Sequence, residues 1–236
     1  MKRKLILKSS FLMFFVFTVL LTSFFLNKGS DYVATSSGSI NEPLTVIIDA
    51  GHGGFDGGAV AHDGTSEKDI NLNIASTVGK MLEFNGINVI MTRTDDTGTE
   101  DDRSSTISRR KVSDMKNRLS IINNTPNSVF VSIHLNKYTA SSANGAQVFY
   151  SKNNSDSSNL GDCIQKSVVK QLQNDNKRVI KQATKSTYLL YNAKVPAVIV
   201  ECGFLSNAEE LRKLKTDEYQ KQMAFSIYNG ILDYLS

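Results

Sequence analysis

Short apolar runs alternate along this chain with segments in which apolar residues recur every three or four positions. Residues 46–50 form the first run, which is rich in β-branched residues and ends at a Gly-rich turn, as expected of a buried strand. Ile70, Ile74 and Val78 then follow the spacing of one helix face, and residues 87–93 resemble a second strand. A strand, a helix and a strand in this order predict a parallel pair.

Polar residues mark the start of this first helix. Ser66, with Asp69 three residues later, forms a capping-box pattern. The pattern predicts that Glu67 is the first helical residue and lies at the junction with the preceding loop. Gly86 is expected to end the helix.

Residues 94–113 form a long polar segment with both acidic and basic side chains. Loops of this length are usually mobile or functional, so the segment is either a solvated excursion or a lid or partner surface. A short helix is expected to begin at Asp114, with Met115, Leu119 and Ile122 on its apolar face.

The C-terminal half continues the alternation of strands and helices. Strand-like composition is found in residues 129–134, 145–150 and 195–201. Apolar stripes predict one helix around residues 160–172 and a final one around residues 219–231. Between these two helices a shorter one is expected, capped by Ser206 and Glu209. We therefore predict an α/β fold for residues 44–236, a single domain with a mostly parallel, twisted sheet flanked by helices.

The N-terminus has the features of a membrane-directing segment. Basic residues at the start precede an uncharged stretch of eighteen residues, from Ser9 to Leu26, dominated by Phe, Leu and Val. As a helix it would cover about 27 Å, close to the roughly 30 Å hydrocarbon core of a bilayer. We predict that residues 1–26 are a membrane anchor or a cleaved signal peptide, that residues 27–43 are a linker, and that the following chain is exported.

The distribution of charges and cysteines narrows the classes of partner and fold. Lys2, Arg3, Lys4 and Lys8 supply four positive charges, which equals the formal net charge of +4. The remaining body is neutral and lacks the clustered basic residues that nucleic-acid binding requires. Two cysteines, Cys163 and Cys202, are too few for a disulfide framework, and they either form one bridge or are two buried thiols.

Three of the strand-like segments lead directly into residues that carry chemistry. His52, His134 and Glu201 each follow a buried apolar run. Ligands of parallel α/β sheets bind beyond the carboxyl ends of the strands, and Glu67 lies in a connection that leaves the same edge. Two imidazoles and one carboxylate form the ligand set of catalytic zinc sites, and the remaining carboxylate would act as a base. The residue types alone leave open that the histidines are merely buried and hydrogen-bonded.

His62 is the third histidine and an alternative to Glu67 as a ligand. Its neighbours Asp63, Gly64 and Thr65 are turn residues. Because turns lie on the surface, we expect His62 to be a surface residue.

Four strings of residues carry a resemblance to a known family. In chain order they are VIIDAGHGG, SEKDINL, FVSIHLN and VIVECGFLSN. They resemble the zinc-dependent N-acetylmuramoyl-L-alanine amidases with the amidase-3 fold, over almost all of residues 44–236. The resemblance implies one Zn²⁺ held by His52, Glu67 and His134. It also implies Glu201 as the catalytic carboxylate and peptidoglycan as the substrate.

The same resemblance suggests finer features. Arg93 and Asn136 are expected near the substrate groove. This chain has a membrane leader, one catalytic domain and the polar segment 94–113, and in this it is similar to the germination-specific amidases of endospore formers. Those enzymes remove the peptide from muramic acid in spore cortex, a step toward muramic-δ-lactam. This implies a location outside the cytoplasmic membrane in the cortex compartment. A separate hypothesis comes from the turn residues before Glu67: a ligand at such a junction needs substrate or an accessory protein to be well positioned, and the same partner would order the long polar loop.

Two other classes of function, one enzymatic and one not, could use these residues or some of them. A zinc carboxypeptidase or a cell-wall deacetylase would need the same ligands and base. A non-catalytic wall-binding or metal-buffering module would need the ligands alone. The second carboxylate favours an enzyme, since binding does not require a base.

Overall fold

Six strands and six helices make up the part of the chain that the computed structural model describes, residues 43–101 and 106–236. The strands are β1 (Thr45–Ala50), β2 (Asn88–Met91), β3 (Ser128–Asn136), β4 (Gln147–Tyr150), β5 (Lys181–Gln182) and β6 (Ala197–Phe204). The helices are α1 (Glu67–Phe84), α2 (Ile107–Asn124), α3 (Asp156–Gln171), α4 (Tyr188–Asn192), α5 (Ala208–Leu214) and α6 (Asp217–Leu235).

The strands form one mixed sheet in the order β2-β1-β3-β6-β4-β5. The first four strands of this order, β2, β1, β3 and β6, are parallel to one another, which confirms the predicted parallel pair of β1 and β2. β4 runs antiparallel to β6, and β5 is parallel to β4. The connection from β3 to β4 contains no helix, so it lacks the crossover that a return in the parallel direction requires. The predicted α/β class is confirmed, with one antiparallel junction in an otherwise parallel sheet.

Helices cover both faces of this sheet. The larger apolar core lies between the sheet and α1, α3 and α6, and contains Val46 and Ile48 of β1. The smaller core contains Ile47 and Phe130, packed against residues of α2 and α4. Successive side chains of a strand point to opposite faces of the sheet. His134 is four residues after Phe130 on β3, so it lies on the same face, the one that α2 and α4 cover.

Two expectations about helix starts need correction. α1 begins at Glu67 as predicted, but the Ser66 hydroxyl donates to the Gly57 carbonyl at 2.8 Å instead of capping the helix. The N-cap of α5 is Asn207, whose side chain accepts from two backbone N–H groups, while the Ser206 hydroxyl accepts from the Tyr138 N–H. In both cases a tertiary contact outside the helix engages the serine.

The predicted loop 94–113 is also wrong in its second half, because α2 begins at Ile107 and not at Asp114. The Thr106 side chain caps the helix by accepting from the Arg109 N–H. The first turns of α2 carry exposed charged residues, with Ile107 and Val112 also exposed, so no apolar stripe marks them in the sequence. The described residues before α2 pack against the helix, since Thr99 donates two hydrogen bonds to the Asp114 side chain.

The predicted leader (1–26) and nearly all of the predicted linker (27–43) lie outside the described residues. Among the residues that are described, no helix has the length and apolar character needed to cross a membrane. Cys163 and Cys202 are both free thiols, the second of them buried, so the open question of a bridge is answered by two unpaired cysteines.

Candidate metal centre

The carboxyl ends of β3 and β6 bring His134 and Glu201 side by side. The two residues are register partners on neighbouring parallel strands, so their side chains point to the same face. Oε2 of Glu201 is buried and has no hydrogen-bond partner among the described residues. Burial, together with the nearby Glu67 carboxylate, raises the pKa of Glu201. A buried carboxylate oxygen without a donor indicates a group kept for a ligand or a reactant.

His52 enters the same space from the loop after β1. It has a φ of 65°, a left-handed conformation that is uncommon for residues other than glycine. The loop leaves no room for a side chain at Gly58, because a Cβ there would lie 2.7 Å from Cδ2 of His52 and 2.6 Å from Oε2 of Glu67. Glycine at this position therefore allows the close approach of His52 and Glu67.

Glu67 connects the two histidines. Its Oε1 lies 3.3 Å from Nε2 of His52 and 3.0 Å from Nδ1 of His134. The same atom accepts from the Leu135 N–H at 3.0 Å, and Oε2 accepts from the Ala59 N–H at 2.8 Å. The first turn of α1 thus holds the carboxylate in one orientation, facing both imidazoles.

The electrostatics of this cluster favour a positive charge at its centre. Burial alone would lower the pKa of His52, but the Asp56 and Glu67 carboxylates raise it to about 9. Burial would raise the pKa of Glu67, but hydrogen bonds and charge from His134 and His52 hold it well below its ordinary value. A cluster with this balance of charges is suited to hold a cation between these groups.

The three side chains fit a small transition-metal ion. One potential ligand atom from each of His52, Glu67 and His134 lies within 4.8 Å of the other two. Two imidazole nitrogens and one carboxylate oxygen form a donor set suited to zinc, whereas calcium and magnesium prefer oxygen ligands alone. His62 is exposed and does not belong to this cluster, as the sequence predicted. Of the two candidates for the third ligand, it is Glu67 that lies beside His52 and His134.

Arg93 and Asn136, expected near the substrate groove, occupy different settings. Arg93 is buried, and its guanidinium donates to the carbonyls of Ala50, Gly51 and Lys68. It therefore braces the backbone just before His52. Asn136 ends β3 and is partly exposed, and its carbonyl accepts from the Leu205 N–H. A direct contact of either residue with substrate stays a prediction.

The sequence did not reveal four residues that support the site. Arg118 is fully buried, pairs with Asp49 at the end of β1, and donates through Nη2 to the His52 carbonyl at 2.6 Å. Asp56 binds Nδ1 of His52 at 2.9 Å, and Nζ of Lys111 lies 3.0 Å from Asp56. The sequence carries only weak signals for these residues. Asp56 is an acid four residues after His52 in a Gly-rich loop, and Lys111 lies before Asp114, where the sequence predicts that the helix begins.

A groove opens beside the cluster. It has a volume of about 360 Å³ and includes His52 and His134 in its wall. α2 contributes Lys111 and Met115 to one side, and residues 186–189 form the other. The groove therefore gives a ligand access to both imidazoles from the α2 and α4 face.

Comparisons with known proteins agree with this geometry. A family model described as "N-acetylmuramoyl-L-alanine amidase" (Amidase_3) matches residues 46–233. The chain is 36% identical to the germination-specific N-acetylmuramoyl-L-alanine amidase of Bacillus subtilis over 191 residues, which cover 81% of this chain and 79% of the relative.

Solved structures show the same similarity. The CwlD amidase from Clostridioides difficile, in complex with the GerS lipoprotein, has a TM-score of 0.78 and 42% identity over 81% of this chain and 98% of that one. The catalytic domain of CwlV from Bacillus (Paenibacillus) polymyxa has a TM-score of 0.67 and 30% identity, with 81% and 98% of the two chains covered.

Proposed function

The chain belongs to the Amidase_3 family of N-acetylmuramoyl-L-alanine amidases, and we propose that it cleaves peptidoglycan with one zinc ion held by His52, Glu67 and His134. The bond cleaved is the amide between the lactyl group of N-acetylmuramic acid and L-alanine of the stem peptide. The observation that carries the proposal is the approach of both imidazoles to a single carboxylate oxygen, Oε1 of Glu67.

The metal and the chain divide the work. When bound, zinc supplies Lewis acidity toward the scissile carbonyl and lowers the pKa of the attacking water. Glu67 and the two histidines would hold the ion, and the groove along α2 and residues 186–189 would orient the peptide. Holding the scissile amide in one place converts an encounter with water into a step within one complex.

Glu201 is the general base of the proposed reaction. Its Oε2, which has no hydrogen-bond partner in the described part of the chain, lies on the same face as His134, where it can accept the proton of the attacking water. Glu201 then returns this proton to the leaving amine of L-alanine. The raised pKa supports both steps, because a carboxylate that holds a proton more readily is a better base and can later act as the acid.

A digest of purified peptidoglycan tests the function. We expect free peptides that begin with L-alanine and glycan strands with intact lactyl groups, identified by mass spectrometry. A chelator should abolish the release, and added zinc should restore it. Free D-amino acids would indicate a carboxypeptidase, and free acetate a deacetylase, and either product in place of stem peptides would contradict the proposal. Binding to the wall with no zinc-dependent turnover would indicate a non-catalytic module.

We further propose that the substrate is spore cortex peptidoglycan, outside the cytoplasmic membrane. The similarity to a relative named for germination supports this assignment. Cortex from a strain that lacks the gene should contain little or no muramic-δ-lactam, and complementation should restore it. Normal muramic-δ-lactam in the mutant would exclude the cortex role while leaving the amidase activity intact.

An accessory protein is also part of the proposal. The similar CwlD amidase was solved in complex with the GerS lipoprotein, and this supports a protein partner for the present chain. Zinc titration of the purified protein, alone and after mixing with a candidate lipoprotein from the same organism, would test whether a partner is needed. Tight, stoichiometric zinc uptake by the protein alone would remove the need for one.

A further inference from the structure

A chain of polar contacts leads from His52 to helix α2. Nδ1 of His52 lies 2.9 Å from Oδ2 of Asp56, on the side of the ring away from Glu67. Oδ1 of Asp56 accepts from the Gly58 N–H at 3.3 Å and lies 3.0 Å from Nζ of Lys111. Lys111 belongs to the second turn of α2, a helix that is far along the chain from His52 and Glu67.

Other residues of α2 hold the same loop. The Arg110 guanidinium lies 4.0 Å above the Phe55 ring, next to Asp56 in the chain. The buried Arg118, two turns further along, donates to the His52 carbonyl. One face of α2 therefore contacts the loop at its backbone, at an aromatic ring and at the carboxylate that binds His52.

We propose that Asp56 and Lys111 are positioning residues, which aim Nε2 of His52 at the metal and make zinc affinity depend on the docking of α2. This inference rests on the proposed function only in taking His52 as a zinc ligand.

The physical reason is the choice between two ring nitrogens. A neutral imidazole carries its proton on one nitrogen and can offer only the other to a metal. A carboxylate that accepts from the Nδ1–H keeps the proton there and fixes the plane of the ring, so that Nε2 faces Glu67. Without Asp56, none of the described hydrogen bonds would keep the proton on Nδ1 of His52, and the imidazole could change tautomer.

Lys111 acts one step further out. Asp56 is partly exposed, and the ammonium group of Lys111 holds its second oxygen in place. Lys111 is itself about half exposed, so water screens the pair and its contribution is smaller than that of Asp56.

Zinc affinity of the purified full-length chain, measured by competition with a chromophoric chelator, tests the proposal. We expect Asp56→Asn to weaken zinc binding by about 10- to 100-fold. Lys111→Met should weaken it by about 1.5- to fivefold, and Lys111→Arg should bind zinc as the wild type does. Lys116→Met, an exposed lysine of the same helix, is the matched control and should bind zinc as the wild type does.

A second readout separates positioning from loss of folding. Cobalt(II) in the site gives visible absorption bands that depend on ligand geometry. We expect Asp56→Asn to shift these bands, while its far-UV circular dichroism and thermal midpoint stay close to those of the wild type. If Asp56→Asn unfolds, Lys111→Met still tests whether the contacts from α2 through Asp56 to His52 affect zinc binding, because Lys111 lies on the surface.

The outcomes distinguish this inference from the proposed function. Tight zinc binding by the wild type and by Asp56→Asn alike would overturn the positioning role and leave the amidase proposal untouched. Weakened binding in Asp56→Asn with wild-type binding in Lys111→Met would overturn the dependence on α2. A wild-type protein that binds no zinc, either alone or after mixing with the candidate lipoprotein, would overturn the proposed function and this inference together.

Discussion

His134 and Glu201 lie directly opposite each other on the neighbouring parallel strands β3 and β6. The pairing puts a proposed ligand and the proposed base on one face, while Glu67 reaches His134 from a helix. The ladder shifts its register immediately afterwards, between His134 and Asn136. The last regular pair of the two strands is therefore the pair to which we assign a ligand and the base.

The first prediction concerns the base. Glu201→Gln should keep zinc binding but lower kcat by about 10²- to 10⁴-fold, because the amide cannot accept the proton of the attacking water. Zinc content and peptide release are measured on the same preparation. Glu209→Gln, an exposed glutamate of α5, is the control and should be fully active. Normal turnover by Glu201→Gln would show that another group is the base.

The second prediction concerns the ligands. His52→Ala and His134→Ala should each lose stoichiometric zinc and, with it, peptide release, because only two donors of the cluster remain. His62→Ala should retain both, since His62 is exposed and outside the cluster. Metal content after dialysis measures the effect. A zinc-free His62→Ala protein beside a zinc-loaded His52→Ala protein would reverse the assignment.

The third prediction concerns the space next to His134. A Cβ at Gly51 would lie 2.3 Å from Cε1 and Nε2 of His134, so Gly51→Ala must displace the ring. We expect strongly reduced zinc affinity and activity in a protein that remains folded. Gly161→Ala is the control, because its Cβ would be 3.4 Å from the nearest atom, an ordinary contact. Equal zinc affinity of the two variants would mean that the His134 ring has more freedom than this packing allows.

The fourth prediction concerns stability in acid. Burial alone would raise the pKa of Asp49, but Arg118 and hydrogen bonds from Ser132 and Thr92 lower it to about 2. Because the folded pKa lies below the unfolded value, the stabilisation is present above about pH 4 and is lost as the pH falls through about 2. The expected loss is about 2 kcal/mol of unfolding free energy, measured by denaturant titration at several pH values.

The Asp49→Asn variant provides the comparison for this prediction. It should be less stable at neutral pH and show a flatter dependence on pH between about 4 and 2. Lys215→Ala, which breaks the exposed pair of Lys215 with Asp63, should change stability little, because solvent screens that pair. A wild-type slope equal to that of Asp49→Asn would place the acid sensitivity elsewhere.

Local patterns in the sequence predicted the elements that carry the candidate ligands and base. The apolar runs before His52, His134 and Glu201 became β1, β3 and β6, and α1 begins at Glu67 as expected. Each of these features depends on consecutive residues, since strand periodicity and helix starts are set within a few positions of the chain. The convergence of their ends followed from the rule for parallel sheets.

Other features depended on which elements pack together. The sequence does not mark the start of α2, because the first turns of this helix carry no apolar stripe. For the same reason it does not indicate the roles of Lys111 and Arg118. The direction of β4 was likewise not marked in its own residues.

The sequence by itself determined the α/β class, the main strands of the sheet and the polar residues that follow them. Short-range periodicity specifies the strands and helices, and the residues next to them can be read directly from the chain. Only the tertiary structure decided that Asp56 and Lys111 stand behind His52, and that Asp49 meets Arg118, 69 positions away. Such pairs arise when a helix docks on a sheet, and no local pattern specifies which side chains then come within hydrogen-bonding distance.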